Sequence, residues 1–302
     1  MCLDASILIP VYNGSKYLEN CFRSLIKSKE LSIYNVEIIF IDDSSNDKTF
    51  EMLNTLIKYH NKNNVVLLRN KTNQGISYSL NKGIDFSKGK YIFRLDIDDL
   101  WTDGRLKKSI NCFNKLNKIN KSYVLVGTFM KGKSGKKYSS PLYVKEIKQL
   151  ISSSCVYHPS WCIKSEILRK YKYEVPSPWE DYFLVLRILL DNYFIYNIPE
   201  YLVLYNDISS KDRITTKTCN DRNVNFVMIK FLILKYLIIS FFKINTNIHK
   251  SHLLKGFKDV VLSKNKYKSN ILISKLAWII NTIVNKIFFL FEVKSSRKRR
   301  II

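Results

Sequence analysis

Tyr91-Ile92-Phe93-Arg94-Leu95-Asp96-Ile97-Asp98-Asp99-Leu100-Trp101 runs from a β-prone apolar stretch straight into three crowded carboxylates. Tyr91 to Leu95 is too short for a helix and rich in aromatic and branched residues, which predicts a buried strand. Carboxylates at 96, 98 and 99 repel one another and raise each other's pKa. Two arrangements relieve that repulsion. A divalent cation is one, since Mg²⁺ is usually held by one or two carboxylates plus substrate phosphates and Mn²⁺ accepts the same oxygens. A solvated acidic cap, with Asp99 or Asp103 at the start of the next helix, is the other.

Upstream, the same grammar repeats. Residues 6 to 11, Ser-Ile-Leu-Ile-Pro-Val, form an apolar run closed by Tyr12-Asn13-Gly14. Tyr17, Leu18, Cys21, Phe22, Leu25 and Ile26 then recur at helical spacing. Val36 to Ile41 predicts a second strand, ending in Asp42-Asp43-Ser44-Ser45-Asn46-Asp47, where Ser and Asp are suited to cap the helix carrying Phe50, Leu53, Leu56 and Ile57. Val65 to Leu68 predicts a third strand, and a helix through Ser79, Leu80 and Gly83 leads back to the strand at 91 to 95. Such strand-helix alternation implies a mostly parallel sheet with both faces covered. Ligands of open sheets bind beyond the carboxyl ends of the strands. Tyr12-Asn13, Asp42-Asp43 and Asp96-Ile97-Asp98-Asp99 all sit at such ends, so their side chains are expected to share one crevice.

Downstream, the pattern predicts a helix near 103 to 118, a strand over 123 to 129, an exposed excursion at 131 to 140 and a helix near 180 to 191. The texture then changes. We place a boundary near residue 206, separating an α/β domain (1–205) from a helical, basic and apolar region (206–302). Residues 203 to 302 carry 20 Lys/Arg against 5 Asp/Glu, so a net of +15 out of the whole chain's +25 sits in this last third. Such an excess calls for nucleic acid, an anionic membrane face or phosphorylated substrates.

Cysteines at 2, 21, 112, 155, 162 and 219 form no CxxC pair and no metal-ligand spacing, and no apolar leader opens the chain. A reducing, cytoplasmic compartment is the expectation. Residues 226 to 242 are almost wholly apolar except for Lys230 and Lys235. Each central Lys costs roughly 2.5 to 3.5 kcal/mol inside a bilayer, which argues against spanning. The run from Ile271 to Val293 is interrupted similarly, and Lys294-Ser-Ser-Arg-Lys-Arg-Arg300 is polybasic. Together these suggest peripheral docking on the inner face of the cytoplasmic membrane. A two-helix packing appendage with a solvated basic tail fits the same residues. No recognised nucleic-acid-binding module accompanies the charge, so no nucleic-acid partner is expected.

Ser6-Ile-Leu-Ile-Pro-Val-Tyr-Asn13, Ile41-Asp-Asp-Ser-Ser45, Asn73-Gln-Gly-Ile-Ser77, Arg94-Leu-Asp-Ile-Asp-Asp-Leu-Trp101 and Trp179-Glu-Asp181, taken in order, resemble glycosyltransferase family 2 and its GT-A fold. The resemblance implies an inverting transfer from a nucleotide-diphosphate sugar, with Mn²⁺ or Mg²⁺ as cofactor. It implies that Pro10, Val11, Tyr12 and Asn13 line the base and ribose pocket, with Asn73 and Gly75 of the third motif beside it. Asp43 resembles the family's base-contacting carboxylate, with Asp42 its neighbour. Asp98 would hold the metal, Asp96 would sit by the ribose or the metal, and Asp99 would orient them. Asp181 is the implied general base and Glu180 its support or an acceptor contact, whereas on residues alone the pair also reads as helix N-terminal acids. His158 borders the implied acceptor cavity, as a polar or core residue or a metal ligand. Trp101, Trp161 and Trp179 read either as sugar-stacking or as core residues.

The Gln-x-x-Arg-Trp signature of processive synthases is missing, so a single added sugar is expected, on a surface-glycan or lipid-linked acceptor. A nucleotidyltransferase also uses an acidic pair, but Val11-Tyr12-Asn13-Gly14 offers no Gly-rich, Lys-bearing phosphate loop. A membrane-surface or nucleic-acid-binding protein with a degenerate sugar-nucleotide fold is the non-enzymatic alternative, and the intact Asp98 and Asp181 argue against it.

Overall fold

The computed structural model describes residues 3–60, 64–152, 155–175 and 180–208, all within one compact unit, Met1–Ser210. The apolar-basic runs at 226–242, 271–293 and 294–300, and Trp179, lie outside the described residues. Among the described residues no helix is long and apolar enough to cross a membrane.

Strands β1 (Leu3–Val11), β2 (Val36–Asp42), β3 (Val65–Arg69) and β4 (Gly89–Arg94) alternate with helices α1 (Ser15–Ile26), α2 (Thr49–Tyr59) and α3 (Ile76–Phe86). The four strands pair in parallel in the order β3-β2-β1-β4. β1, β2 and β4 are buried on both faces, so their apolar residues run continuously instead of alternating, whereas edge strand β3 is only half-buried. On one face Phe22 of α1 stacks on Phe40 of β2, with ring centroids 5.9 Å apart. Leu18, Cys21 and Leu25 on the same stripe of α1 are fully buried. Truncating Leu25 to Ala would cost about 2–5 kcal/mol. On the other face α3 lies so close to the sheet that a Cβ on Gly83 would sit 3.0 Å from Ile41 Cδ1.

Beyond Arg94 the chain folds β5 (Leu100–Trp101), α4 (Arg105–Ile119), β6 (Tyr123–Gly132), β7 (Lys137–Tyr138), β8 (Tyr143–Val144), α5 (Ile147–Ser152), β9 (Cys162–Lys164), α6 (Ser165–Tyr171), α7 (Glu180–Leu190) and β10 (Phe194–Tyr205). The sheet continues β4-β9-β6-β10-β5. Short β9 runs antiparallel to both β4 and β6, while β10 is parallel to β6. The architecture is therefore the expected α/β class with a mostly parallel sheet. The excursion at 131–140 is the β6–β7 hairpin, whose turn carries Gly135 at φ 87°.

Six elements were not anticipated in the sequence: β5, β8, α5, β9, α6 and β10. β10 contains Pro199, where a run would ordinarily be demoted. Pro199 and Glu200 fall in the register shift between Ile198 and Tyr201, so the missing N–H disrupts no ladder bond.

Helix starts also differ from expectation. No side chain caps α2 at its N-cap residue, Lys48; Asp47 instead accepts from the Thr49 N–H at 3.0 Å. α4 has Gly104 as N-cap, left-handed at φ 87°, and no acid in its first turn. Its free amides are answered from across the fold: Glu30 takes Leu106 N at 3.0 Å and Lys107 N at 3.3 Å. That buried acid does for α4 what a capping side chain usually does.

Candidate active site

The parallel register brings three acidic or Asn-bearing turns to neighbouring strand ends. Val11 pairs with Asp42, Asp43 N donates to Val11 O at 2.8 Å, and Leu95 N donates to Leu8 O at 3.2 Å. The turns after β1, β2 and β4 thus open on one edge of the sheet.

The first two turns are tied to each other. Asn13, at φ 51°, donates its N–H to Ser45 Oγ at 3.0 Å and accepts from Asn46 N at 2.8 Å, while Asn46 Nδ2 reaches Tyr12 Oη at 3.4 Å. Tyr12 is 46% exposed in the turn after β1. Pro10 and Val11 are buried beneath it. Asp42 is fully buried, ion-paired with Arg69 Nε at 3.1 Å, and accepts from Ser45 N at 3.3 Å. Asp43 accepts Asn70 Nδ2 at 2.7 Å and Gln74 N at 2.9 Å on one oxygen and Gly75 N at 2.7 Å on the other. That carboxylate moulds the turn leading into α3, in which Gly75 has φ 86° and Asn73 is exposed.

The third turn holds the carboxylate cluster. One ligand atom from each of Asp96, Asp98 and Asp99 lies within 4.8 Å of the others. Arg94, itself buried, donates Nη2 to Asp96 Oδ1 at 2.5 Å. Asp98 is partly exposed, and its carbonyl accepts Lys133 Nζ at 3.2 Å. Asp99 is fully buried; Oδ1 accepts Asn206 N at 2.8 Å, and Oδ2 has no hydrogen-bond partner. Burial first, and then the charges of Asp96 and Asp98, push the Asp99 carboxyl well above the usual carboxylate range. Beneath the turn the Cys21 thiol is pushed up as well, by burial and by the same three carboxylates.

Asp99 therefore does not cap α4, which has Gly104 at its N-cap. Three carboxylates this close, one of them with a buried oxygen that lacks a hydrogen-bond partner, suit a small divalent cation with oxygen ligands. Asp96 and Asp98, both partly exposed, would hold the ion. An ion there would supply positive charge to an anionic oxygen of a bound ligand.

A second acidic pair opens α7. Asp181 accepts from Tyr182 N at 2.7 Å. Burial, then the neighbouring Asp181, pushes the Glu180 carboxyl up to about 7. Asp181 is raised chiefly by burial and further by Asp96, with Arg94 opposing. The charges of Asp96 and Arg94 act on both residues of the pair, so the two acidic groups share one electrostatic environment.

His158 stands behind Glu180. Its Nε2 lies 2.8 Å from Tyr173 Oη and its Nδ1 3.7 Å from Glu180 Oε1. Burial, and then the Arg94 cation, holds the imidazole well below its usual pKa, so it is neutral. Tyr173 is pinned by two reciprocal bonds to Asn81 of α3, both 2.8 Å. His158 lies outside the carboxylate cluster and packs edge-on against Trp161 at 4.7 Å. Trp101 and Trp161 are both core residues, at 4% and 1% exposure. Arg105, likewise buried, lies over the Trp101 ring at 4.4 Å and donates to the carbonyls of Arg94 and Pro159 at 2.7 Å. It braces the backbone that carries Arg94 and His158.

Sequence reasoning missed Arg94, Lys133 and Asn206. Arg94 was visible as a basic residue inside an apolar strand beside the acidic turn. Lys133 and Asn206 carry no local signal, because their relation to Asp98 arises only when the β6–β7 turn and the end of β10 meet the β4 turn.

Residues 6–194 match the family model described as glycosyl transferase family 2. The chain is 28% identical over 286 residues to the poly(ribitol-phosphate) beta-N-acetylglucosaminyltransferase TarP of Staphylococcus aureus, spanning 90% of this chain and 83% of TarP. In fold it is similar to residues 1–349 of S. aureus TarS solved with UDP-GlcNAc, at a TM-score of 0.65 and 17% identity, covering 86% of this chain and 71% of that one. The mannosyltransferase PcManGT from Pyrobaculum calidifontis, solved with GDP-Man and Mn²⁺, superposes at a TM-score of 0.59 and 12% identity, covering 94% and 81%. With the family model matching more than half of its length, this chain belongs to glycosyltransferase family 2, and it is a glycosyltransferase of GT-A fold.

Proposed function

We propose that the protein transfers a single sugar, with inversion, from a nucleotide-diphosphate sugar to a hydroxyl of a surface-glycan or lipid-linked acceptor. The observation that carries this reading is the pairing of two acidic groups. The Asp96-Asp98-Asp99 cluster lies at a strand end, and Glu180-Asp181 opens a helix within reach of its charge. Asp96 and Asp98, with Mn²⁺ or Mg²⁺, hold the diphosphate. Pro10, Val11, Tyr12, Asn13, Asp42, Asp43, Asn73 and Gly75 form the nucleotide pocket and the turns that shape it.

Asp181 is the general base. The acceptor oxygen bonds to the anomeric carbon from the face opposite the diphosphate, and its proton passes to Asp181. The bond from the anomeric carbon to the diphosphate oxygen breaks, and its electron pair leaves with the diphosphate. The raised pKa brings the Asp181 carboxyl closer to the pH at which a base is effective. Glu180, buried beside the neutral His158, supports it.

The similarity to TarP makes UDP-GlcNAc the first donor to test and a polyol-phosphate chain the first acceptor. The net charge of +25 suits such a polyanion. It suits an anionic membrane surface too, and the basic end at 294–300 is proposed to dock there on the cytoplasmic side. Deleting residues 294–302 should weaken liposome binding at low salt, and unchanged binding would refute that docking.

Mn²⁺-dependent turnover of a panel of nucleotide sugars, read by mass spectrometry, tests the enzymatic reading. Wild type should consume at least one donor, and Asp98→Asn and Asp181→Asn should each lose most of that activity. Variants as active as wild type would sink the assignment.

A further inference from the structure

Asn206 is the first residue after β10, 4% exposed, and belongs to none of the motifs above. Its two kinds of N–H group point at two of the three clustered carboxylates. The backbone N–H donates to Asp99 Oδ1 at 2.8 Å, and side-chain Nδ2 lies 3.4 Å from Asp98 Oδ2, a long hydrogen bond.

The residue is held from both sides. Tyr205 O accepts Lys133 N at 2.9 Å. Asp207 accepts Ser134 N at 2.9 Å and Tyr138 Oη at 3.2 Å. A Cβ on Gly132 would stand only 2.0 Å from Asp207 Oδ2, so this turn is built around the Asp207 carboxylate. The end of β10 is thereby clamped to the β6–β7 turn, and Asn206 between them is a fixed point.

The two outer carboxylates of the cluster are treated differently. Arg94 pairs Asp96 with a full positive charge, which offsets part of that carboxylate's pull on a cation. Asn206 meets Asp98 with a neutral amide, which orients the carboxylate without adding a charge of its own. Partners that orient a metal-binding side chain are commonly worth 10- to 100-fold in affinity.

We propose that Asn206 is a positioning residue of the cation site: it aims the Asp98 carboxylate through its amide and fixes Asp99 through its backbone. This rests on the reading that Asp96 and Asp98 hold a divalent ion. The test is Mn²⁺ affinity of the full chain without nucleotide, by isothermal titration calorimetry and by the loss of the free-Mn²⁺ electron paramagnetic resonance signal. Asn206→Ala keeps the backbone N–H, so its metal-free unfolding midpoint should match wild type while its Mn²⁺ affinity falls about tenfold or more.

Should alanine disturb folding, the isosteric N206D carries the test. A carboxylate facing Asp98 lowers the metal-free midpoint, and Mn²⁺ should raise it by more than it raises wild type, because the ion then relieves one more repulsion. Equal Mn²⁺ affinity in wild type and N206A, or an equal Mn²⁺-induced rise in wild type and N206D, overturns the role of Asn206 alone. A wild type that binds no Mn²⁺ removes the cation reading and this inference together.

Discussion

The two halves of the candidate site are built by different means. The half formed by the turns after β1, β2 and β4 is made of consecutive residues, each group following directly on a buried strand. The half formed by His158, Tyr173, Glu180 and Asp181 is assembled from short, separate segments. In the first half, parallel pairing of neighbouring strands lines up the turns without further specification. In the second, side chains are placed by partners elsewhere: Tyr173 by Asn81 and Glu180 beside His158. The first half can therefore be read from contiguous sequence; of the second, His158 and the Glu180-Asp181 pair could be named, but not the partners that place them.

That contrast breaks if the halves are not chemically separate, and the strongest test is kinetic. Asp181→Asn should lower turnover about a hundred- to ten-thousand-fold with nucleotide-sugar affinity near wild type. Asp98→Asn should lose nucleotide-sugar affinity together with turnover. Equal loss of donor affinity in both variants would show one undivided site.

Next in size is Asp43→Asn. It places an amide N–H where the Gly75 N–H now donates, or removes the charge that Asn70, Gln74 and Gly75 share. Losing charge-assisted bonds to a buried carboxylate should cost about 1.5–3 kcal/mol in urea unfolding. Donor affinity should fall in parallel, since the turn into α3 loses its mould. Stability at the wild-type level would mean that the turn is held by other contacts.

Smaller again is Glu30→Gln, which weakens the distant cap on α4. A loss of about 0.5–2 kcal/mol, the range for helix caps, is expected with kinetics unchanged. A change in donor affinity would instead link α4 to the site.

A separate expected effect is a slope with pH. Glu180 is raised to about 7 from an ordinary 4.5, so between those values the folded chain holds a proton that the unfolded chain has released. Stability of the metal-free protein should therefore fall as pH rises through that window, and Glu180→Gln should flatten the slope. Guanidinium midpoints across pH 4 to 8 decide the matter, and an unchanged slope in the variant would place the titration elsewhere.

The parallel strands and helices from Leu3 to Arg94 were legible because each burial pattern is local. A short apolar run makes a doubly covered strand, and Leu18, Phe22 and Leu25 make a helical stripe. The later half was less legible for particular reasons. β9 is three residues long, too short to show a period, yet it joins β4 to β6. β10 carries a Pro that only its register shift excuses. Acids near helix starts suggested side-chain caps, whereas α4 is capped from Glu30, 76 residues away from the amide it serves.

The sequence by itself determined the α/β class, the order of the first strands and the presence of acidic turns at their ends. It did so because hydrophobic periodicity and strand-end polarity are properties of adjacent residues. The tertiary structure alone decided what those acids are. Asp99 is a buried group answering to Asn206 instead of a cap, and Asp96 is shared with Arg94. Burial, charge pairing and hydrogen-bond geometry depend on which distant side chains meet, and no spacing along the chain encodes that meeting.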